Sequence, residues 1–196
     1  MRLDEFFSDV LDIKSEALVE KLCEAARIIK VKKGELLIRE GESQGNTLFL
    51  MEGICRGYDI LENGEETTDF FLYRPGEPMT TGHMLHGVAV VNLMAVTDVA
   101  YVEIETRVLL RIGEESEELM RLRSRMLMSN LEERVRLKHV MCFSRAKKRY
   151  LWFLENYDGL IDVVRHKDIA SFLGIEPESL SRIRRQLAAE RETSEF

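Results

Sequence analysis

No apolar run in this chain is long enough to cross a bilayer. The longest, "MLHGVAVVNLMAV" (Met84 to Val96), falls short of the roughly 20 residues a spanning helix needs and is interrupted by His86 and Asn92. The amino end, "MRLDEFFSDV", lacks a basic start followed by an apolar stretch, so no secretory signal and a cytoplasmic location are expected. Cysteine is scarce. Cys23, Cys55 and Cys142 lie far apart without a CxxC pair, which excludes a closely spaced metal or disulfide framework and leaves them as packing residues or free thiols. GxSxG, P-loop, HExxH and GxGxxG in a strand–helix context are all missing, so the expectation is a protein that is not an enzyme.

Basic charge is scarce only on average. The formal net charge is −7, but residues 1–120 carry 12 basic against 24 acidic side chains and residues 121–196 carry 16 against 11. An acidic first part joined to a basic last third points to a polyanion as the partner of that last third.

Periodicity divides the chain into three. The stretch Leu3 to Ala26 is amphipathic and reads as helix. From Ile28, short segments are punctuated by glycine: "RIIKVKKGELLIREGE", "TLFLMEGICRGYDI" and "TTDFFLYRPGE". Their alternation, with turns at Gly34, Gly41, Gly45, Gly53 and Pro75-Gly76, predicts β-strands, and Asn63-Gly64 marks a hairpin. Residues 28–110 thus read as an antiparallel sandwich or roll, within a first domain of 1–113. Glu114 to Met141 contains no Gly or Pro and predicts a helix of about 40 Å at 1.5 Å per residue.

That helix, 114–142, carries two apolar stripes: Leu119, Leu122, Met126, Leu137 and Val140 on one, Met120, Leu127, Leu131, Val135 and Cys142 on the other. A surface helix of a monomer needs one stripe. Two predict packing on its own β domain and on the same helix of a second subunit, with Leu119, Leu122, Met126, Leu127, Leu131 and Val135 as interface candidates; burial of both stripes within one subunit is the alternative.

The last segment, 143–196, contains "HKDIASFLGIEPESLSRIRRQLAAE" (His166 to Glu190). Ile169, Ala170 and Leu173 form the inner face of one helix, Gly174 supplies a turn with positive φ, and Pro177 opens a second helix. Leu180, Ile183 and Leu187 point that helix inward, while Glu178, Ser181, Arg182 and Arg185 share its outward face. This is helix-turn-helix spacing; a generic helical hairpin with a solvated face is the bland alternative.

The order of elements resembles the Crp/Fnr family of bacterial transcription regulators over nearly the whole chain. "VKKGELLIREGE", "LFLMEGICRGYDI" and "FFLYRPGE" are similar to that family's β-roll strands, and "ESLSR" (Glu178 to Arg182) to the E-x-x-S-R recognition core of its FNR-like branch. The resemblance implies an α+β fold: a cyclic-nucleotide-binding-like antiparallel β-roll (jelly-roll-like, a double-stranded β-helix), a long dimerisation helix, and a winged-helix-like helix-turn-helix domain with a shortened wing. It implies a homodimer on double-stranded DNA at an inverted repeat of TGA-containing half-sites, with Glu178 and Arg182 on base edges and Ser181 assisting, and RNA polymerase as a further partner. Lys147, Lys148, Arg149, Arg184 and Arg185 become candidates for phosphate contacts. A ligand-binding module whose helix-turn-helix contacts protein is the competing reading.

Cyclic-nucleotide-binding members grip the phosphate with an arginine. From Pro75 to Thr106 this chain has no Arg or Lys, so neither cyclic AMP nor any resident cofactor is expected. An FNR-type iron–sulfur cluster lacks its cysteines. The pocket candidates are Glu77 in "PGE" and His83 and His86 in "HMLH"; the last two keep haem or a metal open beside an unidentified small-molecule effector.

Overall fold

The computed structural model describes residues 1–80 and 87–194, with side chains through residue 190. Its elements, in order, are α1 (Leu3–Glu5), a π-helical turn (Phe6–Val10), α2 (Glu16–Ala25), β1 (Ala26–Val31), β2 (Leu36–Ile38), β3 (Asn46–Glu52), β4 (Cys55–Ile60), β5 (Glu66–Leu72), β6 (Asn92–Ala95), β7 (Val99–Glu105), α3 (Thr106–Glu114), α4 (Glu117–Phe143), α5 (Ala146–Asn156), α6 (Leu160–Val163), α7 (His166–Phe172) and α8 (Pro177–Ser194). They form two compact units: Met1–Asp59 with Asp69–Asn130, and Ile60–Thr68 with Leu131–Phe196. The units cut across the three segments expected from the sequence, because the first part of α4 packs with the roll and the rest belongs to the second unit.

Two sheets of order β1-β7-β3 and β2-β6-β4-β5 make the roll, all within the first unit except the end of β4 and the start of β5, which belong to the second. β7 pairs antiparallel with both β1 and β3, and β6 with both β2 and β4. Successive side chains on a strand face opposite ways, and here both sides are filled. Leu48, Leu50, Val99 and Tyr101 enter an inner core with Ile38, Cys55, Met79, Leu93 and Ala95. Phe49, Met51, Ala100, Val102 and Ile104 enter an outer core with Phe6, Phe7, Leu11, Leu18, Leu22 and Leu122. The outer core is what seats the start of α4.

The expected helix over Leu3 to Ala26 is broken in two. Asp12 sits at φ +59, and its carboxylate pairs with Lys14, which lowers its pKa through that hydrogen bond. Ser15 then caps α2 by accepting from the Leu18 amide at 3.3 Å. The Lys14 and Ser15 amides donate to the Glu118 carboxylate of α4 at 2.6 and 3.3 Å. Such a partner, a hundred residues away, is invisible to local periodicity.

The expected hairpin at Asn63-Gly64 is present. The Gly64 amide donates to the Leu61 carbonyl at 2.8 Å and the Leu61 amide to the Glu65 carbonyl at 2.9 Å, with Gly64 at φ +83. This is a turn followed by a glycine bulge.

At Gly57 the constraint is space: an added Cβ would overlap the Phe70 ring on the neighbouring strand. Gly57→Ala should destabilise the protein by about 1–3 kcal/mol through overpacking. Shortening the ring with Phe70→Leu in that background should recover part of the loss, measured as the shift in the urea unfolding midpoint.

Candidate nucleic-acid interface

The second unit is organised around a small aromatic and aliphatic core. Phe153 and Tyr157 of α5 stack with centroids 5.1 Å apart, and Phe172 of α7 meets Tyr157 edge-on at 5.3 Å. Leu160, Val164, Ile169, Ala170, Leu173, Ile175, Leu180 and Ile183 complete the buried set. Ala170 is fully buried where α7 and α8 approach, so a larger side chain has no room there.

The turn between these helices is a Schellman motif. The Ile175 amide donates to the Ala170 carbonyl at 2.9 Å and the Gly174 amide to the Ser171 carbonyl at 3.0 Å, with Gly174 at φ +58. Arg149 of α5 locks this turn from outside. Its Nη1 donates to the carbonyls of Leu173 and Gly174 at 3.1 and 3.3 Å, and its Nε to the Ser144 carbonyl at 2.9 Å. The start of α7 is held by Arg165, whose guanidinium grips the buried Asp168 carboxylate in a fork at 2.8 and 3.2 Å. That hydrogen bond raises the Arg165 pKa further. On α7's other flank, Ser171 Oγ accepts from the Thr68 amide in β5 at 2.9 Å.

With Leu180 and Ile183 buried and Leu187 partly so, α8 is held by one side. Glu178, Ser181, Arg182 and Arg185 are all exposed on the other. Arg182 Nη2 reaches Ser179 Oγ at 3.5 Å, a contact long enough to be exchanged for a better one. The exposed side offers a carboxylate acceptor, a hydroxyl and two guanidinium donors in two turns of helix, the groups that bind base edges and phosphates.

Residues 28–116 match the model of the cyclic nucleotide-binding domain. Among solved structures, FixK2 from Bradyrhizobium japonicum is similar with a TM-score of 0.73 at 20% identity, covering 84% of this chain and 85% of FixK2. CLP of Xanthomonas campestris, described as a c-di-GMP responsive global regulator, reaches 0.73 at 14% identity over 90% and 93%. A crp/fnr family protein from Eubacterium rectale ATCC 33656 reaches 0.69 at 18% identity over 95% and 88%. No curated protein matches the sequence. Residues 28–116 are thus similar to a cyclic nucleotide-binding domain, and the chain has the fold of the Crp/Fnr regulators.

Within this Crp/Fnr fold, the residues singled out from the sequence separate by environment. Of the phosphate candidates, Lys148 and Arg185 are exposed or nearly so at the surface of the unit. Lys147 forms an exposed pair with Glu190 at 2.7 Å, of a kind worth little in water and readily exchanged. Arg149 is corrected: its donors serve the turn, so it belongs to the scaffold. Arg184 is half-buried, with Nη1 2.7 Å from His166 Nδ1. The two stripes of α4 also separate. Leu122 is 7% exposed and packs with Leu119 and Met126 against the outer core of its own roll, which corrects their place in the dimer set. Leu127, Leu131 and Val135 are 61%, 55% and 60% exposed.

In the roll, Glu77 is committed to its own turn: its carboxylate accepts from the Tyr73 and Arg74 amides at 2.8 and 2.9 Å. The sequence window from Pro75 to Thr106 overlooked a cation on β4. Arg56 is buried, with its guanidinium 4.8 Å from the Tyr58 ring centroid. Arg56 and Tyr58 are odd-numbered steps from Cys55, which faces the inner core, so the cation lies on the opposite face of that sheet. Burial in the apolar core pushes the Cys55 thiol up to about 12, making it inert as a nucleophile. His83 and His86 lie outside the described residues. Among the described residues there is no group of side chains suited to a metal, and no helix is long and apolar enough to cross a membrane.

Arg149→Ala should destabilise the second unit by about 1–2 kcal/mol, the loss of charge-assisted hydrogen bonds at a partly exposed site, whereas Lys148→Ala should leave stability unchanged. Thermal melts of the two variants side by side check this.

Proposed function

We propose that the protein is a sequence-specific, homodimeric DNA-binding regulator of transcription that works in the cytoplasm on an inverted repeat. The observation that carries the reading is the exposed row Glu178, Ser181, Arg182 and Arg185 on a helix anchored by Leu180 and Ile183. A recognition helix held this way presents its polar side to the major groove. Arg182 pairs in a bidentate way with guanine O6 and N7, Glu178 accepts from cytosine N4, and Ser181 assists. Lys148 and Arg185, with Lys147 once it leaves Glu190, contact phosphates and supply affinity without sequence choice.

Dimerisation uses the open stripe of α4. Leu127, Leu131 and Val135 follow i, i+4, i+8 spacing and remain exposed, while Leu119, Leu122 and Met126 of the other stripe are used by the roll. A second copy would bury this face by pairing α4 with α4 and bring two recognition helices to two half-sites about one helical turn apart. RNA polymerase is the further partner of such a regulator.

The roll is read as unresponsive to cyclic AMP. Glu77 is held by its own turn, the segment from Pro75 to Thr106 offers no cation, and Arg56 faces away from the inner core.

Selection of bound sites from random duplex DNA should return an inverted repeat containing TGA, and Arg182→Ala should abolish discrimination at one base pair per half-site. An equal loss for all sequences would reassign Arg182 to a phosphate. Leu127→Glu with Leu131→Glu should shift the protein to monomer in sedimentation equilibrium and weaken operator binding at least tenfold, while the melting of the roll stays unchanged.

A further inference from the structure

Arg184 differs from the other basic residues of α8 in both position and partner. At 100° per residue it lies about 110° from the centre of the row Glu178, Ser181, Arg182 and Arg185, on the flank of the helix. There it is half-buried and meets His166, the first residue of α7, at 2.7 Å. Arginine has donors only and does not deprotonate in proteins. The His166 Nδ1 must therefore accept, which fixes the ring as neutral with its proton on Nε2. Burial, and then the positive charge of Arg184, pull the His166 pKa below its ordinary value and favour that neutral form.

In a helix-turn-helix complex the second helix lies in the major groove while the first crosses the sugar–phosphate backbone. The His166–Arg184 pair sits on the side of α8 that faces the start of α7, which is where the backbone would pass. We propose that His166 is a positioning residue for a DNA phosphate contact, holding the Arg184 guanidinium against α7 so that its remaining N–H groups meet the backbone. The inference rests on the DNA-binding reading above and adds to it a residue, His166, and a division between Arg184 and the reading row. The advantage is entropic. An untethered arginine has to be immobilised on binding, at a cost that preorganisation removes. Nor does the acidic residue next along α7 compete for the ring, since the Asp168 carboxylate is taken by Arg165.

The test is a double-mutant cycle on the full-length protein. It uses a duplex with an inverted TGA repeat and a scrambled duplex of equal length, with Arg182→Ala run in parallel. Arg184→Ala should weaken binding to both duplexes by roughly tenfold, about 1.4 kcal/mol, and reduce the slope of log affinity against log salt by about 0.9 for each phosphate that is no longer neutralised. His166→Ala should cost roughly threefold on both duplexes and nothing further in the Arg184→Ala background. His166→Asn, which keeps an acceptor near the Nδ1 position, should restore binding; a generic packing role for the ring would not be rescued this way.

The proposal is overturned if His166→Ala binds like the wild type, if its cost persists without Arg184, or if the Asn variant fails to rescue. Failure of the underlying reading has a different signature: neither duplex is bound in a salt-dependent way, or Arg182→Ala leaves the preference for the repeat intact.

Discussion

Because β7 is flanked by strands on both edges and by packed side chains on both faces, its central residues are each committed to one of two cores. Val99 and Tyr101 close the interior of the roll, while Ala100, Val102 and Ile104 build the platform on which the amino-terminal helices and the start of α4 rest. A single strand of ordinary length therefore decides two things at once. It fixes which residues line the inside of the roll, and it determines which stripe of α4 is used up within the subunit. Burying Leu122 on this platform is what leaves Leu127, Leu131 and Val135 on the open side of the helix. An apolar row left uncovered on a long helix is costly in water, so the packing of the roll and the surface offered to the proposed second copy are two consequences of the same sheet.

The second unit shows a comparable economy with charge. Of its basic side chains, Arg149 locks the turn, Arg165 secures α7 and Arg184 is tethered to His166. Arg149 and Arg165 hold acceptors inside the unit, which is why a count of positive charges overstates the number available to a polyanion, while Arg184 keeps N–H groups beyond the one that meets His166. Arg182 and Arg185 stand exposed on the open side of α8. Arginine suits the internal tasks because its donors are fixed in a planar fork and its charge persists at any working pH.

Much of this was legible in the sequence, and the part that was not has a common cause. Glycine-punctuated strands, the hairpin at Asn63-Gly64 and the spacing Ala170, Gly174, Leu180, Ile183 are local patterns, and local patterns survive translation into structure. Composition by segment, too, located the basic last third. What could not be read were pairings between residues distant in the chain: Glu118 with the amides of Lys14 and Ser15, Arg149 with Leu173 and Gly174, His166 with Arg184, Thr68 with Ser171. Periodicity identified two stripes on α4 but not which one the roll would take, because both have similar composition and spacing. The amino-terminal helix was overextended for a related reason: its apolar period continues through Asp12, and only the left-handed backbone at that residue ends it.

The proposed binding of DNA by an acidic chain raises the question of how its remaining negative charge is tolerated. At physiological ionic strength the Debye length is about 8 Å, so exposed carboxylates farther than that from the phosphates contribute little repulsion. The net charge of −7 therefore matters far less than the few groups within reach of the backbone. On that reading the positive field that gathers the partner is modest, since the last third carries 16 basic against 11 acidic side chains. Affinity must then come from short-range contacts, and short-range contacts are sensitive to displacement. This gives a physical reason for the amount of structure behind α8: a Schellman turn, an arginine locking its carbonyls, an aromatic stack under α7 and a histidine holding the flank arginine. With few contacts available, the rigidity of the scaffold determines how much each of them contributes.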